Sequence, residues 1–241
     1  HLGIGGTPAT DMAVLMGLNQ NGQSINLSHG LQGLGVNSPE ALHRHVHQSR
    51  AKLTFAQTFP TGTHAMWLYY WLASYGVNPF TEVKNITVPP PQMVANMRVG
   101  NMDGFCVGEP WGARAIFDKI GFTATTTQQI WPDHPEKVLG TTGEWVKKYP
   151  NTARALVAAL LDASRYIDEV KNRASVAKLI AEKAYVNAPE AVIAGRFAGA
   201  YEDGLGKKWQ DPKLMKFFDG GTASTGAPSG MEMPVTATLP E

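Results

Sequence analysis

The feature that most constrains this chain is the run Pro89-Pro90-Pro91-Gln92-Met93-Val94-Ala95-Asn96-Met97-Arg98-Val99-Gly100-Asn101-Met102-Asp103-Gly104-Phe105-Cys106-Val107-Gly108-Glu109-Pro110-Trp111. Proline fixes φ and lacks an amide donor, so residues 89–91 form a stiff loop leading into a short helix. Gly100 ends that helix, and Phe105 to Val107 reads as a small apolar strand. The strand runs into Gly-Glu-Pro-Trp, where bare backbone meets an acid and an indole. Ligands of α/β sheets sit at such strand ends. The run therefore points to small-molecule binding rather than catalysis.

The flanking sequence alternates strand and helix signals. Leu53-Thr54-Phe55-Ala56 reads as a strand, and Thr61-Gly62-Thr63 opens a helix over 64–75 that Gly76 stops. Further strands are expected at 85–88, 122–126 and 138–141. Helices are expected at 92–99, 111–119, 144–148, 151–169, 175–184 and 189–201. This alternation predicts a mainly parallel α/β sheet. His1 to Gly6 resembles a strand end entering a turn. From Gly220 the chain is rich in Gly, Ser, Thr, Ala and Pro without period and reads as an irregular tail.

With 241 residues, 43% of them hydrophobic, the chain is long enough for one large domain or two lobes. A net charge of +1 provides no field for nucleic acid or a membrane surface. No apolar run reaches the roughly 20 residues that span a bilayer. Cys106 has no second cysteine to pair with and reads as a small buried hydrophobe. Met93, Met97 and Met102 read as core filling. His43, His45 and His47 would share a face only on a strand, and no nearby carboxylate or cysteine completes a metal set. A solvated helix is the simpler reading, so neither metal nor cofactor is expected. No phosphate loop, Gly-x-Ser-x-Gly elbow or local Cys-His signature is present.

Four segments, in order, carry a resemblance: Phe59-Pro60-Thr61-Gly62-Thr63-His64, Pro89 to Met97, Met102 to Trp111, and His134-Pro135-Glu136-Lys137-Val138-Leu139-Gly140. Together they resemble the nitrate/bicarbonate-binding subfamily of periplasmic solute receptors for ABC transporters, over about Gly22 to Asp219. The resemblance implies an α/β, two-lobed periplasmic-binding-protein-like fold of type II with the anion in the cleft. It places one lobe crossing near 19–23 and the return near 132–138. On that plan 1–21 is a remnant of the first lobe, 22–131 the second lobe, 132–219 the return to the first, and 220–241 the tail. The N-terminal part of the first lobe, with the family's aromatic cover for the anion, is expected upstream of His1. Residues 1–241 by themselves are then expected to fold poorly, with half of one sheet unpaired.

Nitrate is planar, singly charged and weakly basic, so its site needs converging donors, one positive charge and no facing carboxylate. The turn 61–64 offers helix N–H groups, with Thr63 at the helix start. His64 adds a ring donor, and the family's binding histidine falls on it; a histidine satisfied by its own loop is the alternative. Lys137 alone reads as an exposed lysine, whereas the resemblance assigns it to the anion. The bicarbonate branch does not keep this lysine, so the resemblance favours nitrate or nitrite. Gln23, in the polar turn Asn19-Gln20-Asn21-Gly22-Gln23, offers an amide, with Gln20 as the alternative register. Gly108 offers a backbone N–H where a side chain would collide with ligand. Glu109 would repel an anion and is expected to face a lysine, a backbone donor or the lobe interface. Trp111 is expected in the cleft wall or core.

The function implied is capture of nitrate or nitrite for the membrane subunits of an ABC transporter, on the periplasmic side, without cofactor or direct contact with nucleic acid. Related receptors imply two alternatives: a cytoplasmic nitrate/nitrite sensor acting on an antiterminator-type regulatory protein, and a bicarbonate receptor. An enzyme built on the same fold is set aside, because nothing nominates a nucleophile.

Overall fold

The computed structural model of the chain describes residues 8–49, 52–211 and 215–218. The expected strand end at His1 to Gly6 and the expected tail from Gly220 lie outside the described residues. The central unit is a five-stranded sheet. Its strands are β2 (Gln23–Ser28), β3 (Thr54–Gln57), β4 (Lys84–Thr87), β5 (Gly104–Gly108) and β6 (Gly121–Thr126), in spatial order β4-β3-β5-β2-β6. It is mixed rather than mainly parallel. β3 runs parallel to β4 and β5, while β2 lies antiparallel to both β5 and β6.

Gln23 therefore opens a central strand instead of belonging to a turn. The polar residues of β2 hid it: Gln-Ser-Ile-Asn-Leu-Ser alternates like a half-exposed strand, yet all six residues are buried. Ile25 and Leu27 enter the apolar core, while Asn26 is satisfied internally, accepting from the Thr123 hydroxyl at 2.8 Å. The turn before β2 is made by Asn21 and Gly22, both at positive φ.

Two apolar clusters fill the sheet's faces. One joins Ile25, Phe55, Leu68, Leu72, Cys106 and Phe122, with Leu68 and Leu72 supplied by helix α3 (Thr63–Ser74). The other joins Ala56, Met93, Met97, Met102, Phe105 and Val107, with Trp111 packed against it. The three methionines and Trp111 thus serve packing. Gly104 is required where β3 and β5 meet, since a Cβ there would stand 2.7 Å from the Phe55 ring.

A two-stranded antiparallel ribbon lies outside this sheet, formed by β1 (Met12–Gly17) and β7 (Val138–Thr142). Between ribbon and sheet the chain passes twice, and the two passages are bonded together. Leu18 N–H donates to the Lys137 carbonyl at 2.7 Å, Glu136 N–H to Asn19 at 3.0 Å, and Asn21 N–H to His134 at 3.1 Å. A third segment joins them where Gln20 and Lys216 exchange backbone bonds at 2.8 and 3.1 Å.

After β7 come a short helix at Gly143–Lys148 and then the longer α8 (Pro150–Asp168), α9 (Val170–Ile180) and α10 (Glu190–Phe197). The last two differ in extent from the expected 175–184 and 189–201. α10 ends early because Gly199, at φ +85°, turns the chain into a small hairpin of β8 (Ala200–Glu202) and β9 (Lys208–Gln210). The buried Arg173 ties these pieces together. It pairs with Asp168 at 2.9 Å and donates to the carbonyls of Ile167, Phe197 and Met215. Asp168 also accepts from the amides of Phe217 and Phe218 at 2.9 and 2.6 Å.

Removing one partner of a buried, fully hydrogen-bonded ion pair typically costs about 3–5 kcal/mol. Asp168→Ala is therefore expected to lower the urea midpoint by a corresponding amount, and Lys171→Ala, at an exposed ion pair with Glu169, to leave it in place. Equal midpoints for both variants would show that Arg173 does not organise this end of the chain.

Candidate functional site

Four of the five predicted residues meet at the C-terminal ends of β3 and β5, beside the N-terminus of α3. Gly62 is the N-cap of α3 and no side chain caps this end, so its first amides are left to other acceptors. Gln23 and Thr63 are joined directly, the amide donating to Thr63 Oγ1 at 3.0 Å. His64 is buried, with Nδ1 2.7 Å from Thr58 Oγ1. Its Nε2 is buried as well and has no hydrogen-bond partner among the described residues. Its own loop thus meets one ring nitrogen and leaves the other without a partner among the described residues.

Gly108 lies against that free nitrogen, since a Cβ built on it would come within 3.8 Å of His64 Nε2. Its amide direction follows from register. Gly108 faces Gln23, and the next residue, Glu109, donates its N–H to Gly22 at 2.9 Å. Antiparallel pairs alternate between bonded and non-bonded, so Gly108 occupies a non-bonded position and its N–H turns away from β2. On that side β3 ends at Gln57, which leaves the amide facing the space past the strand end.

Lys137 reaches the same place from the second passage. Its backbone is held by Asn19, whose side-chain oxygen accepts the Lys137 N–H at 3.2 Å, and its side chain is 58% exposed. The expectation that no carboxylate faces the site is overturned. Glu136, whose side chain is only 4% exposed, accepts from the Gln23 amide, from the Thr63 hydroxyl at 2.9 Å and from the Lys137 ammonium. Sequence reasoning passed over Glu136 because it faces this space only once the passages pair. The signal lay in its position between His134 and Lys137.

The second passage is itself positioned by a buried histidine. His134 Nδ1 lies 3.0 Å from the Pro135 carbonyl, which can only accept, so Nδ1 carries the proton and Nε2 accepts from the Thr127 hydroxyl at 2.7 Å. Trp67 of α3 packs on the His134 ring with centroids 4.7 Å apart.

The remaining candidates resolve as structural. Glu109 pairs with buried Arg196 and accepts from the Ser24 hydroxyl at 2.8 Å and the Ala113 amide at 3.1 Å, so its partner is an arginine distant in sequence. A cavity of about 450 Å³ beside Arg196, Tyr201 and Trp209 includes none of the five predicted residues. Arg196 already donates to Ser24, Glu109, Thr123 and the Glu202 carbonyl, so its charge is met. Cys106 is buried, and burial pushes its thiol pKa upward, which keeps it protonated and unreactive. His47 Nε2 does find a carboxylate, Glu82 at 3.1 Å, but no group of three metal-ligating residues forms among the described residues.

Comparison with known proteins agrees with this architecture. Residues 1–181 match the profile of the NMT1-like family. The nitrate/nitrite binding protein NrtA of a Nostoc species is 40% identical over 212 residues, covering 86% of this chain and 48% of the relative. The bicarbonate-binding protein CmpA of Synechococcus elongatus is 32% identical, covering 91% of this chain and 49% of the relative. The crystal structure of the periplasmic nitrate-binding protein NrtA from Synechocystis superposes with a TM-score of 0.83 at 36% identity, covering 89% of this chain and 56% of that one. The chain spans about half the length of the curated relatives it matches, which accords with a two-lobed α/β receptor fold present in part.

The electrostatics of the site give a pH signature. Burial, with the Lys137 ammonium adding to it and the Glu136 carboxylate opposing, pushes the His64 pKa down to about 4. The ring is neutral in the fold at pH 7, whereas an unfolded chain takes up its proton near pH 6.5, the ordinary value. As pH falls from about 6.5 to about 4, protons bind the unfolded chain preferentially, and His64 costs on the order of 3 kcal/mol of stability. His134, also lowered by burial, acts in the same direction. His64→Gln is therefore expected to flatten, without abolishing, the loss of urea stability between pH 7 and pH 4. An unchanged slope would show that His64 is not held neutral.

Proposed function

The chain belongs to the NMT1-like family, and on that premise we propose that it binds nitrate or nitrite at the end of its sheet. One observation carries the proposal: Gln23, Thr63 and the Lys137 ammonium all donate to the one Glu136 carboxylate, next to His64 and Gly108, so the donors an oxyanion needs already stand together. Donors of this kind, with one cation, match a planar monoanion that offers only acceptor oxygens. Gly108 leaves room for the anion to approach the main chain. With the Thr58 hydroxyl donating to His64 Nδ1, the ring proton would sit on Nε2, beside Gly108 and available to the anion. Hydrogen bonds with a charged partner are worth roughly 1.5–3 kcal/mol each, so few contacts are needed for a selective site.

In this reading the protein is a binding component of an ABC importer, working on the periplasmic face and delivering the anion to membrane subunits. Neither an enzyme nor the cytoplasmic sensor is favoured by any observation here. Among the described residues no helix is long and apolar enough to cross a membrane. The NrtA relatives support nitrate and nitrite as the ligands. Closing on the anion would follow mass action, the ligand shifting the population toward the conformer that contacts it from both sides.

Calorimetric titration with sodium nitrate tests the assignment. Lys137→Ala and His64→Ala are each expected to weaken binding at least about tenfold, near 1.4 kcal/mol. Lys137→Glu is expected to lose nitrate and gain hydrogen carbonate. Nitrate binding unchanged in both alanine variants would remove the site from these residues.

A further inference from the structure

We propose that the Glu136 carboxylate is an internal competitor for the oxyanion site, and that it sets which anions bind there. The inference rests on the nitrate/nitrite reading above and adds a residue to it. The donors assigned to the anion are already engaged by this one side chain. Gln23 and Thr63 donate to Oε1, and the Lys137 ammonium pairs with Oε2. A carboxylate and a nitrite or nitrate edge present the same geometry: two equivalent oxygens on one planar centre, sharing one negative charge.

The two cannot occupy the space together. Glu136 is buried, and placing a second monoanion against it adds like-charge repulsion in a poorly solvated setting. Nitrate therefore has to displace the carboxylate. The backbone does not oppose this step. The Glu136 N–H bond to Asn19 fixes the main chain, so the side chain departs by rotation alone and the paired passages stay intact. The carboxylate is tethered beside its donors, and its effective concentration there is high.

Selectivity follows from what Glu136 leaves unused. It engages Gln23, Thr63 and Lys137, and the His64 Nε2 beside Gly108 has no partner among the described residues. An incoming anion that merely repeats the carboxylate's contacts gains nothing over Glu136. One that also accepts from His64 Nε2 and the Gly108 amide does gain, so the internal carboxylate acts as a threshold that small anions lacking those contacts fail to pass.

The experiment titrates sodium nitrate and sodium formate, at constant ionic strength, into the parent chain, Glu136→Gln and Glu136→Ala. Circular dichroism and thermal melts establish that each variant is folded. Nitrate is expected to bind both variants at least tenfold more tightly than the parent, and formate to bind Glu136→Ala while failing to bind the parent. Should Glu136→Ala not fold, the isosteric glutamine variant carries the nitrate comparison alone. A parent that binds nitrate, with Glu136→Gln equal or weaker, overturns the competitor role and leaves the nitrate site standing. Absence of nitrate binding in all three folded proteins overturns the nitrate reading and the inference together.

Discussion

Buried hydrogen-bond donors need acceptors, and that requirement organises the functional end of this molecule. The sheet is filled on both faces by aliphatic, aromatic and methionine side chains, yet its C-terminal edge holds the amide of Gln23 and the ring of His64 nearly out of water, with Thr63 beside them. Leaving such groups unpaired costs about 1–3 kcal/mol each. For Gln23 and Thr63 the second passage answers by inserting Glu136, with Lys137 balancing its charge, while His64 Nε2 is left without a partner among the described residues. The site is therefore close to neutral as a set: a cation, a carboxylate and an uncharged imidazole. An external monoanion fits the same electrostatic balance only by taking the carboxylate's place.

That arrangement depends on long-range registration. Pairing of Gln23 with Gly108 in a non-bonded position turns the Gly108 amide outward, and pairing of Asn19 with Glu136 and Lys137 brings the second passage alongside the first. His134, locked between Thr127 and Trp67, holds that passage against α3. A third strand of support comes from Lys216, whose backbone bonds to Gln20 while Arg173 and Asp168 secure the neighbouring residues. The groups proposed to hold the anion thus come from the sheet and from the passages beside it. Movement of ribbon against sheet would change the distance between Lys137 and His64.

The sequence was informative where signals are local. The Thr61 to Gly76 helix, the proline loop and the strand ending at Gly108 each announce themselves within a few residues, through prolines, glycines and apolar runs. His64 and Gly108 could be singled out because both stand at such boundaries. The antiparallel course of β2 was not legible, because its buried Ser24 and Asn26 look like solvent-facing positions until Thr123 and Arg196 are seen to meet them. Glu109 was expected to face a lysine, a backbone donor or the lobe interface; it does meet a backbone donor, the Ala113 amide, but its cation is an arginine, Arg196, far along the chain on α10. Glu136 escaped for the same reason. Its neighbours in sequence suggested a surface, while its neighbours in space are Gln23 and Thr63.

The most direct measurement follows nitrate into the site by its effect on two nuclei. Long-range nitrogen-15 spectra of the His64 imidazole, recorded with the Gly108 amide during a nitrate titration, report the groups that the account places nearest the anion. The His64 Nε2 and Gly108 amide resonances should move together along one saturating curve. Saturable nitrate binding that leaves both resonances fixed would contradict the account.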